Sequence, residues 1–349
     1  MRRRDFLLAS SGLLMSAAGQ GARAEDRPSS IAVMTWGGQI GDTLAKGADR
    51  DYEKRFGIRV VQDRGSSPVE RITKVKINEQ KQIYDILHLH DGLVPLAVQQ
   101  GAYEKLDFSS PRLSNVKNLV GPRATDYWLP FYYSELGICW NTKEVKNPPT
   151  KFADLWRPEF RGRIVLPAIS HSIGPYIIPI GAMAAGHDPK DEAAGFEQLQ
   201  RLSDLNPIWA RDTDGIMSSM RNGEAVIALL FRSQTYTLQD SKAPVAWVAP
   251  EEGAIEVSWG AGIAKGCRYR EAAEDYLNVL LSPACQVPMA EAFNYPGTSP
   301  QTAEQLSPEL RKRVEADPVV MAHLRKLDQT FMNERRPAWT DRWNRIVSG

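Results

Sequence analysis

The chain has 349 residues, about two to three times the length of a typical domain, which predicts two lobes. Hydrophobic residues make up 42% and charged residues 24%, as in an ordinary globular protein with a hydrophobic core. The 43 basic residues nearly balance the 42 acidic ones, which excludes the basic surface of a typical nucleic-acid-binding protein. After the N-terminus, no apolar run approaches the roughly 20 residues that a membrane span needs.

Residues 1–24 have the pattern of an export signal. Three arginines, Arg2–Arg4, precede a short apolar stretch, and Ala22-Arg23-Ala24 matches a small-x-small cleavage site. The run Arg3-Arg4-Asp5-Phe6-Leu7 also resembles the twin-arginine export signal. We therefore expect the mature protein in a bacterial periplasm, exported through the twin-arginine route.

The first part of the mature chain alternates strands and helices. The pattern predicts strands at Ile31–Trp36, Ile58–Gln62 and Tyr84–Leu89, with helices at about Leu44–Phe56 and Val69–Gln80 between them. This order implies right-handed crossovers and a parallel sheet, in which ligands bind at the carboxyl ends of the strands. The aromatic, polar and glycine residues expected at those ends are Trp36, Gly37, Gly38, His90 and Asp91.

A second α/β pattern begins with a long predicted strand. Its strands are predicted at Phe131–Asn141, Ile164–Leu166, Ala225–Phe231, Ala243–Val248 and Glu256–Ile263. Its helices are predicted at Ile177–Ala185, from an Asp188-Pro189 cap to Leu205, at Arg270–Leu281 and at about Pro308–Leu327, before a polar tail with Trp339 and Trp343. The chain is expected to cross between the lobes near Tyr132–Cys139 and near Val257–Ala264. The predicted N-terminal lobe is 25–133 plus about 257–305, and the C-terminal lobe is 134–256 plus about 306–349.

Three cysteines are too few for a disulfide framework. Cys267 and Cys285 are the natural pair for one bridge in an oxidising compartment, and Cys139 is expected to be a buried thiol.

The sequence has neither a G-x-S-x-G elbow nor a phosphate-binding loop. His88 and His90 share one face of a strand beside Asp91, but no further ligand pattern completes a metal site. We therefore expect a protein without enzymatic activity, metal or cofactor. The alternative from another class is a secreted metal-dependent hydrolase that uses these three residues.

Two polar positions follow predicted strands of the second lobe. Arg232 directly follows an apolar strand and needs a partner, either a ligand carboxylate held by two hydrogen bonds or an acid such as Glu256. His171, between Ser170 and Ser172, could donate to a ligand or cap the next helix. Both interpretations of each residue stay open.

Segments along nearly all of the mature chain resemble one known family. They are Thr35–Gly38, Glu53–Val60, Tyr84–Leu87, Gln100–Asp107, Pro130–Asn141, Phe152–Ile164, Arg221–Glu224, Ala249–Ala254 and Glu271–Ala273. The chain resembles the extracellular solute-binding proteins of ABC importers, specifically the spermidine/putrescine-binding branch. The resemblance implies an α/β, two-lobe periplasmic binding protein fold of type II. Each lobe would have a mixed, mainly parallel sheet flanked by helices, and crossover strands would join the lobes.

The resemblance also implies a mechanism and partners. The lobes would close on one small molecule, and a monomer would deliver it to an ABC permease in the inner membrane. A sensor that docks to a chemoreceptor is the alternative to transport.

Departures from the family's pattern concern the ligand. Polyamine binders of this family use aromatic walls and acidic groups for the ammonium ends. Trp36 matches such an aromatic residue, but Trp259 and Ser170-His171-Ser172 stand where the family has acids, and Phe231-Arg232 replaces a Trp-Asn pair. We therefore expect a solute with at least one carboxylate, such as a hydroxy acid or a dicarboxylate. Polyamine binding is the alternative, and the acids Asp91, Asp212 and Glu135 leave room for a zwitterion.

These considerations define a predicted ligand-binding set. Its members are Trp36, Gly37, Gly38, His90, Asp91, Tyr133, Ser134, Ser170, His171, Ser172, Asp212, Arg232, Trp259 and Gly260. Trp36 and Trp259 would wall the ligand, Arg232 would hold its anionic end, and the glycines would let backbone N–H groups approach closely.

Overall fold

A computed structural model describes residues 27–315 and 318–347, so the predicted export signal lies outside the described residues. The strands are β1 Ser30–Met34, β2 Arg59–Asp63, β3 Ile86–His90, β4 Leu129–Asn141, β5 Ile164–Pro167, β6 Ile208–Ala210, β7 Ile227–Phe231, β8 Val245–Val248 and β9 Ile255–Ile263. The first seven helices are α1 Gly38–Leu44, α2 Arg50–Phe56, α3 Pro68–Ile77, α4 Val94–Gln99, α5 Ile177–Ala184, α6 Glu192–Ser203 and α7 Thr213–Arg221. The later helices are α8 Arg232–Asp240, α9 Arg270–Leu280, α10 Pro283–Phe293, α11 Pro300–Glu304, α12 Pro308–Val314, α13 Pro318–His323 and α14 Gln329–Val347. Across the described ranges, no helix combines the length and the apolar character of a membrane span.

The described strands form one continuous mixed sheet. Its order is β2-β1-β3-β9-β4-β7-β5-β6, and β8 pairs with the far end of β4. Strand β1 lies parallel to β2 and β3, and β5 lies parallel to β6 and β7. Strands β4 and β9 run antiparallel to their neighbours. The predicted α/β fold class, with a mainly parallel sheet in each lobe, is confirmed.

Two long strands connect the lobes. Strand β4 pairs with β9 over Leu129–Leu136 and then with β7 over Leu136–Trp140. Strand β9 pairs with β4 and, near its end, with β3. The register between β4 and β9 shifts between Pro130 and Tyr132, which marks an irregularity where the chain enters the second lobe. These are the crossover strands that the fold class requires.

Each lobe has its own hydrophobic core. Ile31, Tyr52 and Tyr276 are fully buried in the first core, and Phe152 and Leu229 in the second. Full burial of one large apolar side chain contributes about 1.5–3 kcal/mol, so these buried side chains help to stabilise each half of the sheet. The crossover strands β9 and β4 therefore lie between the two halves of the sheet, each of which has its own core.

Two local predictions are wrong at helix ends. Helix α6 is capped by Asp191, whose Oδ1 accepts a hydrogen bond from the Ala194 N–H at 3.0 Å. Asp188 instead accepts from the Lys190 N–H in the preceding turn, so it does not cap the helix. The single helix predicted at Pro308–Leu327 is divided into α12 and α13.

The predicted polar tail is helix α14. Met332, Trp339 and Trp343 fall seven and four residues apart, so they share one face of the helix, and all three are buried in the second core. Charged residues lie between these three positions, so the narrow apolar face of the helix is difficult to recognise in the sequence.

The sequence left open whether Cys267 and Cys285 form a bridge, and in the structure all three cysteines are free. Cys267 Sγ donates to Asp85 Oδ1 at 3.2 Å, whereas Cys285 is buried in the first core. Cys139 is a buried thiol, as expected.

Candidate functional site

Aromatic rings from both lobes meet at the crossover strands. Tyr132 stacks on Trp259 with 5.3 Å between ring centroids and on Tyr295 with 4.8 Å. Trp36 meets Tyr132 edge-on at 6.2 Å, and Phe231 meets Trp259 edge-on at 5.5 Å. We call these five residues the junction aromatic cluster. Trp36 and Trp259 stay partly exposed, so their rings form a wall that a solute can reach.

Strand register explains how this cluster assembles. Trp259 on β9 lies opposite Tyr132 on β4 and opposite His90 on β3, so the three side chains come together at one level of the sheet. Phe231 is the last residue of β7 and Trp36 follows β1, so both stand at carboxyl ends of strands. Trp36 and Trp259 both contact Tyr132, so the structure brings these two predicted wall residues into one cluster.

Of the neighbouring tyrosines Tyr132 and Tyr133, the structure places Tyr132, rather than the predicted Tyr133, in the junction aromatic cluster. Neighbouring residues of a strand point to opposite faces, and Tyr132 is the one in the aromatic cluster. The Tyr133 hydroxyl instead donates to Met321 Sδ at 3.9 Å. The Tyr132 hydroxyl is buried and has no hydrogen-bond partner within the described ranges. Tyr295, which follows α10, was not predicted as a site residue. It lies 163 positions after Tyr132 in the sequence, so only the fold shows that the two rings stack.

His90 and Asp91 lie at the carboxyl end of β3, as predicted. The two side chains are 4.0 Å apart, and Asp91 Oδ1 is buried without a hydrogen-bond partner among residues that the structure describes. Burial, with a smaller contribution from the Glu256 charge, raises the pKa of Asp91 to about 7. Burial also lowers the pKa of His90 to about 4. At neutral pH the site therefore presents a neutral imidazole and a partly protonated carboxyl group.

The partner of Arg232 is Glu135 rather than Glu256. Arg232 Nη2 lies 3.0 Å from Glu135 Oε1, and both side chains are buried. Glu256 instead pairs with Lys326 Nζ at 2.8 Å. Burial raises the pKa of Glu135, and the charge of Arg232 opposes that rise. Both carboxylate oxygens of Glu135 and the Nη2 atom of Arg232 lack an aligned hydrogen bond within the described residues. The two groups therefore form an ion pair, and these atoms can still form hydrogen bonds.

A second buried cation at the junction, Arg71, was missed. Arg71 on α3 is 2% exposed, and its guanidinium carbon lies 5.4 Å from the ring centroid of Trp36. It donates to the carbonyl oxygens of Ser66 at 3.1 Å and His88 at 2.9 Å, and no acid within the described ranges pairs with it. Burial lowers its pKa to about 10, so it stays charged at neutral pH.

His171 caps a turn, one of its two predicted roles. Its Nδ1 accepts from the Ile173 N–H at 3.1 Å, and its Nε2 lies 3.2 Å from Thr213 Oγ1. Ser170 and Ser172 on either side of it are exposed. His171 is therefore held by the protein itself, whereas the two serines are open to solvent.

Asp212 and Ser134 are also engaged by the protein. Asp212 Oδ1 accepts from the Gly215 N–H at 2.8 Å and caps α7. Ser134 Oγ lies 2.9 Å from Ser233 Oγ in the interior, where the pair connects β4 to α8. Both residues position elements of the second lobe.

The predicted glycines differ in what surrounds them. A Cβ atom at Gly37 or Gly38 would meet nothing within 4 Å, so these backbone groups are open to approach. A Cβ atom at Gly260 would collide with the Leu129 carbonyl oxygen and the Trp128 ring. Gly260 is therefore required for packing of β9, and its predicted role in admitting a ligand has no support here.

His88 is buried and contacts other residues of the protein. Its Nδ1 lies 3.0 Å from Thr35 Oγ1, and the side chain is fully buried against Trp36 and Phe131. The described part of the chain has no group of three or more His, Cys, Asp or Glu residues placed to hold a metal ion.

A two-lobe fold with an aromatic wall at the crossover strands defines a protein that binds a small solute between its lobes. The family model for bacterial extracellular solute-binding proteins matches residues 81–317, and the chain belongs to this family. The predicted resemblance to its spermidine/putrescine-binding branch is confirmed.

Among its relatives, the "Spermidine/putrescine-binding periplasmic protein" of Escherichia coli is 24% identical over 268 residues, 74% of this chain and 76% of that protein. A "Putative 2-aminoethylphosphonate-binding periplasmic protein" of Salmonella typhimurium is 24% identical over 249 residues, 69% of each.

Solved structures share the fold. An ABC transporter protein from Clostridium perfringens is similar with a TM-score of 0.78 and 27% identity, over 91% of this chain and 99% of that one. The binding protein MotA from A. tumefaciens, solved in complex with glucopine, has a TM-score of 0.73 and 20% identity over the same shares.

Proposed function

We propose that the protein is the periplasmic substrate-binding component of an ABC importer. It captures a small polar solute by closure of its lobes and delivers the solute to a membrane permease. The curated relatives are named as periplasmic binding proteins, and the Clostridium perfringens structure is named as an ABC transporter. The export pattern of residues 1–24 supports the same location. In this proposal the lobes divide at residues 133/134 and 256/257 on the two crossover strands.

The solute carries at least one carboxylate or a similar oxyanion, and the unpaired charge of Arg71 is the observation that carries this proposal. A buried cation without an acid favours an anion brought to it and repels a dication across a poorly hydrated site. The acid whose charge acts on Arg71 is Asp63, and Asp63 is paired with Lys74 at 2.8 Å. At the junction, Glu135 is engaged by Arg232, and the raised pKa of Asp91 leaves that carboxyl partly neutral.

The contacts follow from the geometry of the junction. Trp36 and Trp259 wall the solute, and the Tyr132 hydroxyl and His90 provide hydrogen bonds that the protein leaves unmade. Arg71 attracts the anionic end, whereas Arg232, whose charge is paired with Glu135, contributes N–H donors. A planar guanidinium recognises a carboxylate or a phosphonate through paired N–H donors.

A polyamine is the second candidate, because one observation favours it. Both carboxylate oxygens of Glu135 and Oδ1 of Asp91 are buried without an aligned hydrogen bond from the described residues. Ammonium groups would satisfy these oxygens, and the Escherichia coli relative is named for spermidine and putrescine.

Thermal unfolding of the mature protein against a solute panel tests the proposal. The panel contains malate, succinate, 2-aminoethylphosphonate, putrescine and spermidine. A solute at 1,000 times its Kd stabilises the folded state by roughly 4 kcal/mol, which raises the Tm by several degrees. We expect a carboxylate or the phosphonate to raise the Tm and the Arg71→Gln variant to lose that rise. Stabilisation by polyamines alone would overturn the oxyanion proposal.

Uptake tests the transport role. Deletion of the gene should abolish cellular uptake of the radiolabelled solute that stabilises the protein, and the wild-type gene should restore it. Unchanged uptake in the deletion strain would contradict the importer proposal.

A further inference from the structure

Large apolar side chains are exposed mainly along one stretch of the first lobe. Among the residues that the structure describes, five such side chains are exposed, and four of them fall between positions 61 and 83. They are Val61 on β2, Val69 and Ile77 on α3, and Ile83 before β3. Strand β2 is the last strand of the sheet on this side, so this apolar surface lies near its outer edge. Clustered apolar exposure of this kind marks an interaction surface.

Helix α3 has a buried face and an apolar outer face. Ile72 and Val75 are fully buried in the interior of the first lobe. Val69, Thr73 and Ile77 are four residues apart, so they form an exposed stripe about 12 Å long on another side of the helix. Val69 is 51% exposed and Ile77 is 78% exposed. We call this stripe the outer face of α3.

A groove lies beside the start of the outer face. It has a volume of about 380 Å³ and is lined by Gly65, Ser66, Val69, Glu70, Thr73 and Lys74. Ile77 does not line it, because this side chain belongs to the last turn of the helix. Helix α3 therefore has a concave site at its start and an exposed apolar side chain at its end, and the groove is large enough to hold an isoleucine side chain.

The charges along α3 have a direction. Glu70 lies in the first turn, whereas Lys74 and Lys76 lie in the last turns. Two such helices placed antiparallel bring the glutamate of each beside the lysines of the other, and a parallel arrangement would bring like charges together. The lysines pair with Asp63 and Glu79 of their own chain, but exposed pairs of this kind are weak and can rearrange at an interface.

A second copy of this chain therefore matches the outer face at both ends of the helix. The apolar end of one α3 meets the groove of the other, and the acidic start meets the basic end. Self-complementarity of this kind is what a two-fold axis between identical chains requires. The formal net charge of the chain is only +1, so two copies repel each other little.

We propose that the outer face of α3 is the interface of a homodimer. A two-fold axis near Thr73 places the two α3 helices antiparallel, and Ile77 of each copy enters the groove at the start of the other copy's helix. Glu70 of each copy lies beside the lysines of the other. The protein is then a dimer in place of the monomer that the family resemblance implies.

This interface leaves the junction free. In the sheet, β1 and β3 lie between β2 and the crossover strand β9, and none of the groove residues belongs to the junction aromatic cluster. Arg71 contacts Trp36 from another side of α3. Each copy can close on its own solute, so dimer formation and solute capture can fail separately.

Sedimentation equilibrium of the mature protein without solute tests the proposal. Concentrations of about 1–500 µM span the affinities expected for a small interface. We expect twice the mass of a single chain at the upper end and Ile77→Asp to weaken association at least about tenfold. Val120→Asp is the matched control, since Val120 is the one exposed large apolar side chain of the described residues outside positions 61–83. It should associate like wild type.

A crosslink tests the position of the two-fold axis. Thr73→Cys places a thiol on each copy next to the axis, so mild oxidation should join the two chains in a disulfide that a reductant reverses. Wild type, which has three cysteines of its own, is the control and should not crosslink. Val120→Cys, remote from the axis, should not crosslink either.

Several results would overturn the proposal. They are a single-chain mass at every concentration, association that Ile77→Asp leaves unchanged or that Val120→Asp weakens equally, and no crosslink through Thr73→Cys. Binding of a monomer to phospholipid vesicles that Ile77→Asp abolishes would assign the outer face to a membrane surface instead.

Discussion

Glu135 Oε1 on β4 lies 3.0 Å from Arg232 Nη2 at the start of α8, and the two side chains are 0% and 9% exposed. The pair joins a crossover strand to the helix that follows β7. Each charge depends on the other, because a buried ion without its partner keeps its full desolvation cost. The ion pair therefore fixes α8 against β4 at the point where the lobes join.

Removing one member of this pair should destabilise the protein strongly. Arg232→Gln is expected to lower the free energy of unfolding by about 3–5 kcal/mol, because it leaves the Glu135 carboxylate buried without a cation. Urea unfolding measures the change. The double variant Glu135→Gln/Arg232→Gln should lose less than the sum of the single variants, and additive losses would show that the pair is not coupled.

Asp91 should make stability depend on pH. Its pKa in the folded state, about 7, lies above the ordinary value of 3.8, so the folded state binds this proton more tightly than the unfolded state does. Wild-type protein therefore loses stability from this group as pH rises from about 4 to about 7. Asp91→Asn removes that loss, so it should gain stability relative to wild type across the same window.

Urea unfolding at pH 4.5 and pH 7.5 measures this difference. The groups that face Asp91 are His90, Glu256 and Lys326. Asp341→Asn, which alters an exposed carboxylate on α14, is the control and should follow the wild-type profile. Parallel profiles for Asp91→Asn and wild type would contradict the raised pKa.

Tyr132→Phe should separate binding from stability. The hydroxyl it removes has no partner in the described part of the chain, so unliganded stability should stay the same or rise by up to about 1 kcal/mol. Solute affinity should fall about tenfold if that hydroxyl meets the solute, as proposed. Thermal unfolding with and without solute measures both. Unchanged affinity would remove Tyr132 from the site.

Two glycines predicted to admit a ligand should respond differently to an added methyl group. Gly260→Ala should destabilise the protein by about 3 kcal/mol, because the new Cβ would meet the Leu129 backbone and the Trp128 ring. Gly37→Ala, the matched control, meets no atom within 4 Å and should change stability little. Comparable denaturation midpoints for the two variants would contradict the packing role of Gly260.

The fold could be predicted because its main signals are local. The apolar run that ends at Phe231 is a buried strand, and α2 ends at Gly57, which has a φ of 66°. Trp36 and His90 could be placed because carboxyl ends of parallel strands share one edge of a sheet. These conclusions need only neighbouring residues and the rules of sheet topology.

Side chains at the junction could not be assigned in the same way. Glu135 and Arg232 are 97 positions apart, and their pairing depends on how β7 docks beside β4. Arg71 appears in the sequence as an ordinary surface residue of α3, yet the fold buries it behind Trp36. Contacts of this kind follow from packing across the sheet, which no local pattern encodes.

The shared strands have a thermodynamic consequence for a protein with two cores. Strands β4 and β9 remain hydrogen-bonded to each other from Leu129 to Leu136 and then enter the sheets of both lobes. Neither core can melt without exposing a strand that the other core needs. We therefore expect the two lobes, although each has its own core, to unfold together in one cooperative transition.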